Sequence, residues 1–308
     1  MNANWGSEHP LINNPVFFDY YYVDGDMTNF YVLDEDGEIA AVCGYIPSSQ
    51  EKDSDIWISI WCRKKGHNGA GLELMGHMMS LTNARVMACN NIRQNTMPFY
   101  TFLGYHPDRL RHYYRLSNRK SYTVADVAEK IILHSVPAEG VSLELFKDIS
   151  SIQRDFSFPE DMHPRKDLWY VERRYFSYPY YKYMVYGVKK DGSFPALVVF
   201  RLNEGAEGNV LRLVDFIGNP EDFRLLDGLV DPLLTKFDCE YCDMYSFGVN
   251  GSLAGFTERS ESDVNVIPNY LDPLWKKNID YFFFTSDTNN FTMFKADGDP
   301  AFGSYNYR

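Results

Sequence analysis

The feature that most constrains the fold of this chain is an apolar strand followed by a basic glycine-rich turn and a helix. Residues 56–61 are β-branched or aromatic apart from one serine, which favours a strand. Residues 63–71 contain three cations, at 63 to 65, and three glycines. Residues 72–81 place apolar side chains at roughly helical spacing. The three patterns together predict the order strand, glycine turn, helix.

The glycine turn has the chemistry of an anion site. Glycines allow a ligand to approach the backbone closely, and the first N–H groups of a helix have no partner within the helix. Those N–H groups and the helix dipole favour an anion such as a pyrophosphate. Arg63, Lys64 and Lys65 add positive charge at the same point. A tight turn with a solvated basic patch would explain the same residues, and the turn alone leaves both interpretations open.

The residues after the helix add a family resemblance. Residues 85–89 predict a second short strand, Asn95 follows, and Tyr100 to Tyr105 form a Tyr-x-x-x-Gly-Tyr motif. With the Arg63-x-x-Gly66 turn, this segment resembles the core of the GNAT acyltransferases, which use acyl-coenzyme A. Members of that family carry Arg/Gln-x-x-Gly-x-Gly/Ala between a strand and a helix, then Asn and Tyr-x-x-x-Gly-Phe/Tyr. Here Asn68 stands where Gly or Ala is usual, and residues 69–71 offer a second register of the motif.

The resemblance implies an acyl-CoA site, with acetyl-CoA as the expected co-substrate and no metal. The turn would hold the pyrophosphate, and the strand before it would hold the pantetheine arm and polarise the thioester carbonyl through a backbone N–H. The implied donor-binding residues are Ile60, Trp61, Cys62, Arg63, Lys64, Gly66, Asn68, Gly69, Ala70, Gly71 and Asn95. Trp61 also fits a core position.

Catalysis of acyl transfer to an amine needs an acid and a base. Tyr100 matches the tyrosine that protonates the leaving thiolate in the family, although it could also be a core aromatic residue beside Phe99. For the base, His9, Asp19, His67 and a relaying water are open. We favour His9, because the resemblance puts its segment where a GNAT domain walls the acceptor cleft.

The length and the order of predicted elements indicate two domains. The chain has 308 residues, with 45% hydrophobic and 23% charged, as in folded proteins. Residues 1–120 would form a GNAT domain, with strands at 29–33 and 38–46 before the turn and a closing strand at 110–116. Residues 121–308 begin with a predicted helix start at 123–126.

The second half then repeats the order strand hairpin, strand, helix, strand. Its turn at 218–222 lacks the glycine cluster and is acidic, so we expect a degenerate second GNAT-like domain that lines the acceptor side or is structural. The expected class is α/β (α+β), with a mixed, mostly antiparallel sheet flanked by helices in each domain.

The stretch Lys295-Ala296-Asp297-Gly298-Asp299 bears on the acceptor. It could be a polar loop, but its carboxylates could also bind an amine or sugar hydroxyls. It resembles the ending of acyltransferases encoded in surface-polysaccharide clusters, which implies the amino group of a nucleotide-linked sugar as acceptor. The expected substrate-binding residues are Asp19, Lys295, Asp297 and Asp299. A calcium loop would need a further spaced carboxylate and a distal Glu, so no metal is expected here.

Charge and cysteine content narrow the class of partner. The formal net charge of -12 argues against nucleic acid. The five cysteines fit a reducing compartment, and the pair Cys239-x-x-Cys242 lacks two further zinc ligands at suitable spacing. No signal-peptide pattern and no apolar run of about 20 residues occurs. We therefore expect a cytoplasmic protein with a small-molecule acceptor and no membrane partner; a homodimer stays open.

Two other functions compete with an acyl-CoA N-acyltransferase. A peptidoglycan-type aminoacyltransferase also has paired GNAT-like domains, but it uses aminoacyl-tRNA, which an acidic chain with a pyrophosphate turn does not favour. A non-catalytic protein that binds acyl-CoA, or serves as a scaffold, would share the fold as well. Substitution of Tyr100 separates the enzyme from the scaffold.

Overall fold

A computed structural model describes residues 14–268 and 275–298. Its α-helices are α1 (Pro15–Tyr22), α2 (Ala70–Thr82), α3 (Met97–Phe102), α4 (Ile149–Asp155), α5 (Leu168–Val171) and α6 (Val230–Lys236). The first eight strands are β1 (Val23–Asp24), β2 (Met27–Thr28), β3 (Phe30–Glu35), β4 (Glu38–Pro47), β5 (Ile56–Arg63), β6 (Met87–Ile92), β7 (His106–Arg109) and β8 (Arg111–Leu116). The others are β9 (Val141–Phe146), β10 (Met184–Lys190), β11 (Ser193–Gly205), β12 (Gly208–Gly218), β13 (Cys239–Phe247), β14 (Thr257–Glu258), β15 (Phe282–Thr285) and β16 (Met293–Phe294).

The first of two compact units contains residues 14–108, 282–289 and 297–298 of the described chain. Its sheet has the order β3-β4-β5-β6-β15-β7, so β15 from the end of the chain inserts between β6 and β7. The hairpin β3–β4, the strand β5 and the helix α2 confirm the elements predicted from the sequence. The core of this unit lies between α2 and the sheet. The helix contributes Leu74, Met75 and Met78, and β5 contributes Ile56 and Ile58.

The second unit contains residues 109–268, 275–281 and 290–296 of the described chain. Its sheet has the order β14-β8-β13-β12-β11-β10-β9, and β16 pairs with β13. Strand β8, which the sequence predicts as the closing strand of the first domain, pairs along β13 from Leu116↔Tyr241 to Arg111↔Ser246. The helix α6 packs through Val230, Leu233 and Leu234 on the core of this sheet.

The two units share one local plan, which explains why the second half repeats the first in outline. In each unit an antiparallel strand pair is followed by a parallel neighbour, β5 beside β6 in the first and β12 beside β13 in the second. The antiparallel pairing before that neighbour is irregular in both units. The register shifts between Gly44 and Tyr45 where β4 pairs with β5, and between Val199 and Phe200 where β11 pairs with β12. The chain is therefore a mixed α/β protein built from two similarly laid-out units.

A buried carboxylate replaces the helix start predicted at 123–126. Glu240 is 1% exposed, and its two oxygens accept hydrogen bonds from the backbone N–H groups of Thr123, Val124 and Ala125. The hydroxyl of Thr123 donates to the same carboxylate. Residues 123–126 form no helix, and the segment bends at 123–125, where these three N–H groups bind the carboxylate.

None of the helices within the described ranges could cross a membrane. The longest of them, α2, has 13 residues, whereas a membrane-spanning helix needs about 20.

We predict that Glu240→Gln lowers the free energy of unfolding by about 2 kcal/mol, since the amide keeps one acceptor oxygen and turns a donor towards backbone N–H groups. Chemical denaturation followed by circular dichroism measures this difference. Glu204→Gln is the matched control, because Glu204 is exposed on β11 of the same unit. Equal stabilities of the two variants would show that the Glu240 carboxylate does not hold residues 123–125.

Candidate functional site

The candidate site is organised by β5, which has a regular neighbour on one side only. It pairs with β4 over its whole length except at Ser59, where the register skips from Ile58↔Tyr45 to Ile60↔Gly44. On its other side β5 pairs with β6 at Ile56↔Met87 and Trp57↔Ala88, and no further register pair joins the described residues of these two strands. The strands diverge beyond this point, so β5 approaches the glycine turn with one edge not covered by β6.

The glycine turn leads into α2 with open space in front of the helix. Gly66 and Gly69 have φ of 100° and 94°, a conformation that suits glycine, and a Cβ added at either would meet no atom within 4 Å. Among the described residues no side chain caps the start of α2. The N-terminal N–H groups therefore face a space that could admit a phosphate-containing ligand.

Trp61 joins the strand to the start of this helix. Its indole nitrogen donates to the carbonyl of Gly71 at 2.8 Å. A Cβ added at Gly71 would lie 3.4 Å from the same ring, so glycine lets the helix pack closely on it. Trp61 thus has the packing role that the sequence leaves open, at the residues expected to bind the donor.

The positive charges of the turn are partly balanced by the tip of the hairpin β3–β4. Lys64 lies 2.6 Å from a carboxylate oxygen of Glu38, and this cation lowers the pKa of Glu38. His67 Nδ1 lies 2.6 Å from Glu35, so His67, one of the three candidate bases, is already engaged by a carboxylate. Within the described ranges no carboxylate forms an ion pair with Lys65. The turn therefore carries less net positive charge than its sequence indicates.

Tyr100 lies in an aromatic stack on the α2 side of the sheet. It is 6% exposed, and its ring stacks on Phe284 of β15 with centroids 4.3 Å apart. The ring of Tyr105 stacks on Phe284 as well, with centroids 5.0 Å apart. The ring centroids of Trp61 and Tyr100 are 6.4 Å apart. Burial raises the pKa of Tyr100. A hydrogen bond with Thr96 acts in the opposite direction but does not cancel the rise. Tyr100 therefore keeps its proton through the neutral range, as a general acid must.

The other expected donor-binding residues differ in burial. Ile60 is buried and Cys62 half-buried on β5, whereas Arg63 and Asn68 are exposed. Ala70 and Gly71 are buried at the start of α2, and Asn95 is exposed in a 3-10 turn before α3. All five cysteines are free. Among the described residues, no group of three or more His, Cys, Asp or Glu side chains could hold a metal ion.

The residues expected to bind the acceptor differ in burial and in the unit to which they belong. Asp297 is buried in the first unit, where its carbonyl accepts from the Asn90 amide at 3.1 Å. Gly298 packs on Trp57 so closely that an added Cβ would lie 2.4 Å from the tryptophan Cβ. Lys295 belongs to the second unit, with its ammonium 4.6 Å from the Tyr281 ring centroid. Asp19 is exposed on α1, and His9 and Asp299 lie outside the described residues.

Some residues of the site were missed by sequence reasoning. Phe284 belongs to β15, and nothing local in the sequence pairs that strand with β6. Glu35 and Glu38 flank the Asp-Gly turn of the hairpin β3–β4. An Asp-Gly pair between two strands signals a hairpin, and this was the available indication that the two carboxylates could reach the glycine turn. Ser59 was treated as an interruption of an apolar strand.

The matching region of the second unit is built differently. Strands β12 and β13 pair from Asn209↔Cys239 to Arg212↔Asp243. Beyond that, β13 pairs with β16 at Ser246↔Phe294 and Phe247↔Met293. The segment before its helix, residues 220–226, begins with the acidic Glu221 and Asp222. A phosphate-containing ligand is disfavoured here by the carboxylates.

Comparisons with known proteins bear on the fold. No protein-family model matches the chain, and no curated protein is detectably similar to it in sequence. The structure is similar to that of a GCN5-related N-acetyltransferase from Anabaena variabilis, with a TM-score of 0.52, 11% identity, and coverage of 91% of this chain and 67% of that one.

Two weaker likenesses were also found. A conserved protein from Enterococcus faecalis matches with a TM-score of 0.44 and 11% identity, covering 83% of this chain and 61% of that chain. A tandem GNAT protein from the clavulanic acid biosynthesis pathway matches with a TM-score of 0.38 and 12% identity, covering 84% and 83%. The chain thus spans about two thirds of the length of the first two structures. We base the shared fold on the Anabaena variabilis protein alone.

We predict that Trp61→Phe loosens the start of α2, because the indole N–H that binds the Gly71 carbonyl is lost. The free energy of unfolding should fall by about 1 kcal/mol. Hydrogen exchange of the Leu72 and Glu73 amides, which donate to the Gly69 carbonyl, should quicken. Trp275→Phe is the control, since Trp275 is 49% exposed. Unchanged exchange in Trp61→Phe would mean that the indole does not fix the turn.

Proposed function

We propose that the protein is an acyl-CoA-dependent N-acyltransferase that uses acetyl-CoA and has its donor site in the first unit. The observation that supports this most is the combination of an open, glycine-lined helix start with a strand that diverges from its parallel neighbour just before it. The GNAT-like fold gives the same arrangement a precedent. The second unit, whose corresponding segment begins with two carboxylates, would then have an acceptor-side or structural role.

The residues of the first unit fit the parts of an acyl-CoA. The amides at 69–71, with Arg63 and Lys65, would bind the pyrophosphate, since the space before Gly66 and Gly69 is open. Strand β5 from Ile60 to Cys62 would bind the pantetheine arm through its backbone. Lys64 already forms an ion pair with Glu38, so a phosphate would compete with the Glu38 carboxylate for this cation.

The reaction we propose is direct attack of an amine on the thioester carbonyl. A carbon–nitrogen bond forms, the carbon–sulfur bond breaks, and the proton lost by the amine is balanced by one gained by the thiolate. Tyr100 would supply the proton to the sulfur, because burial keeps its phenol neutral. His9 is our candidate for the base that deprotonates the amine.

As acceptor we propose the amino group of a nucleotide-linked sugar. The resemblance of residues 295–299 to the ending of surface-polysaccharide acyltransferases motivates this choice. Residues 297–298 adjoin the strands that diverge at the proposed donor site, because Asp297 contacts Asn90 of β6 and Gly298 contacts Trp57 of β5. Asp19, Lys295 and Asp299 are proposed as further acceptor contacts.

Gly69→Glu tests the donor site. A carboxylate in the open space before α2 would repel the pyrophosphate, so we expect calorimetric titration with acetyl-CoA to show affinity weakened more than about tenfold. Gly69→Ala is the matched control, because it carries the same backbone strain, about 1–3 kcal/mol, without the charge. We expect Gly69→Ala to retain most of the affinity. Folded wild-type protein that fails to bind acetyl-CoA would refute the proposal.

Tyr100→Phe tests the catalytic role. Loss of the general acid should reduce kcat for acetyl transfer to a uridine-diphosphate-linked amino sugar by about 10²-fold, with little change in acetyl-CoA affinity. Release of the CoA thiol measures the rate. Tyr105→Phe is the control, because that ring stacks on the same Phe284. Equal rates in wild type and Tyr100→Phe would favour a protein that binds acyl-CoA without using this acid.

A further inference from the structure

A pair of hydroxyl groups lies at the irregular point of β5. The hydroxyl of Tyr22, at the end of α1, is 2.6 Å from the hydroxyl of Ser59. Ser59 is the residue of β5 that the register with β4 skips. It also lies two positions after Trp57, the last residue of β5 that pairs with β6. The pair therefore lies at the irregularity in the register with β4 and just beyond the last residue pair with β6.

The burial of Tyr22 decides which hydroxyl donates. Tyr22 is 0% exposed, and Ser59 is the one hydrogen-bond partner of its phenol among residues 14–268 and 275–298. An unsatisfied buried O–H would cost about 1–3 kcal/mol, so the single proton of Tyr22 must go to the Ser59 oxygen. Burial also raises the pKa of Tyr22, so the phenol does not ionise in the neutral range.

This arrangement leaves the proton of Ser59 available for a third group. Ser59 is half-buried, whereas Tyr22 is fully buried, so Ser59 is the less enclosed residue of the pair. A hydroxyl that accepts one hydrogen bond becomes a better donor, because successive hydrogen bonds polarise one another. The group that best matches a fixed, polarised O–H donor is an oxygen that gains negative charge.

The distance along β5 puts this donor at the reacting end of the proposed donor site. Ser59 lies four residues before Arg63, or about 13 Å at about 3.3 Å per residue. An extended pantetheine arm has a comparable length. An arm that begins at the glycine turn and runs back along β5 would bring its thioester near Ser59.

We propose that the Ser59 hydroxyl is a catalytic hydrogen-bond donor to the thioester oxygen, and that Tyr22 is the residue that positions it. The proposal rests on the proposed acyl-CoA function. As the amine attacks the carbonyl carbon, the carbonyl π electrons move to oxygen, and Ser59 stabilises the charge without losing its proton. When the carbon–sulfur bond breaks, the electrons return to form the amide carbonyl.

Isotope-edited infrared spectroscopy of bound acetyl-CoA, labelled with carbon-13 at the carbonyl, tests this directly. A hydrogen bond lowers the carbonyl stretching frequency, so Ser59→Ala should raise it relative to wild type. In the same variant kcat should fall by about 10²-fold while the affinity for acetyl-CoA is kept. Ser59→Thr retains a hydroxyl and should restore the lower frequency, and Ser80→Ala, on the exposed side of α2, should match wild type.

Tyr22→Phe tests the positioning role separately. It leaves Ser59 in place but removes the bond that orients it, so the carbonyl frequency should rise by less than in Ser59→Ala, with a smaller loss of kcat. A carbonyl frequency that is the same in wild type, Ser59→Ala and Tyr22→Phe would overturn the inference even though acetyl-CoA binds. Wild-type protein that binds no acetyl-CoA would overturn the proposed function, and this inference with it.

Discussion

Two parallel strands that diverge cannot satisfy each other's backbone N–H and C=O groups, and the site of this protein depends on that constraint. Strand β5 leaves β6 after Trp57 and then enters the glycine turn. Polar backbone groups at such an edge need other partners, from water, from a side chain or from a ligand. In the second unit no further register pair joins the described residues of β12 and β13 after Arg212↔Asp243, and the end of β13, the counterpart of β6, pairs with β16 instead. The divergence is thus followed by a glycine turn in the first unit and accompanied by an added strand in the second.

Local sequence predicted the features that depend on neighbouring residues. The strand, glycine turn and helix at 56–82 could be recognised because apolar periodicity and glycine positions lie next to one another along the chain. The strands at 29–33 and 38–46 were predicted for the same reason, and they correspond to the hairpin β3–β4. The two-unit α/β layout followed from the repeated order of these elements in the second half.

Features that depend on pairing between distant strands could not be predicted. The tyrosines of Arg111–Leu116 suit a strand in either sheet, and nothing near this segment specifies β13 as its neighbour. The insertion of β15 beside β6, which brings Phe284 to Tyr100, involves residues almost two hundred positions apart. Glu240 likewise binds a bend at residues 123–125, where the local sequence predicts a helix start. Long-range contacts of this kind override local propensity.

The electrostatics of the site differ from what the sequence indicates. Three successive cations suggest a strongly positive turn, but Glu38 holds Lys64 and Glu35 holds His67. The donor site would then rely more on backbone N–H groups and less on side-chain charge than the residues 63–65 alone imply. Backbone donors are fixed by the fold, so under the proposed function the approach of β5 to α2, where Trp61 binds the Gly71 carbonyl, would matter more for binding than any one lysine.

The central claim is that the first unit holds an acyl-CoA between its glycine turn and its diverging strands. A crystal structure of the protein with coenzyme A tests this most directly. We predict that the pyrophosphate lies against the amides of residues 69–71 and that the pantetheine arm follows β5 towards Ser59. Coenzyme A bound at the acidic turn of the second unit, or away from β5 altogether, would contradict the account.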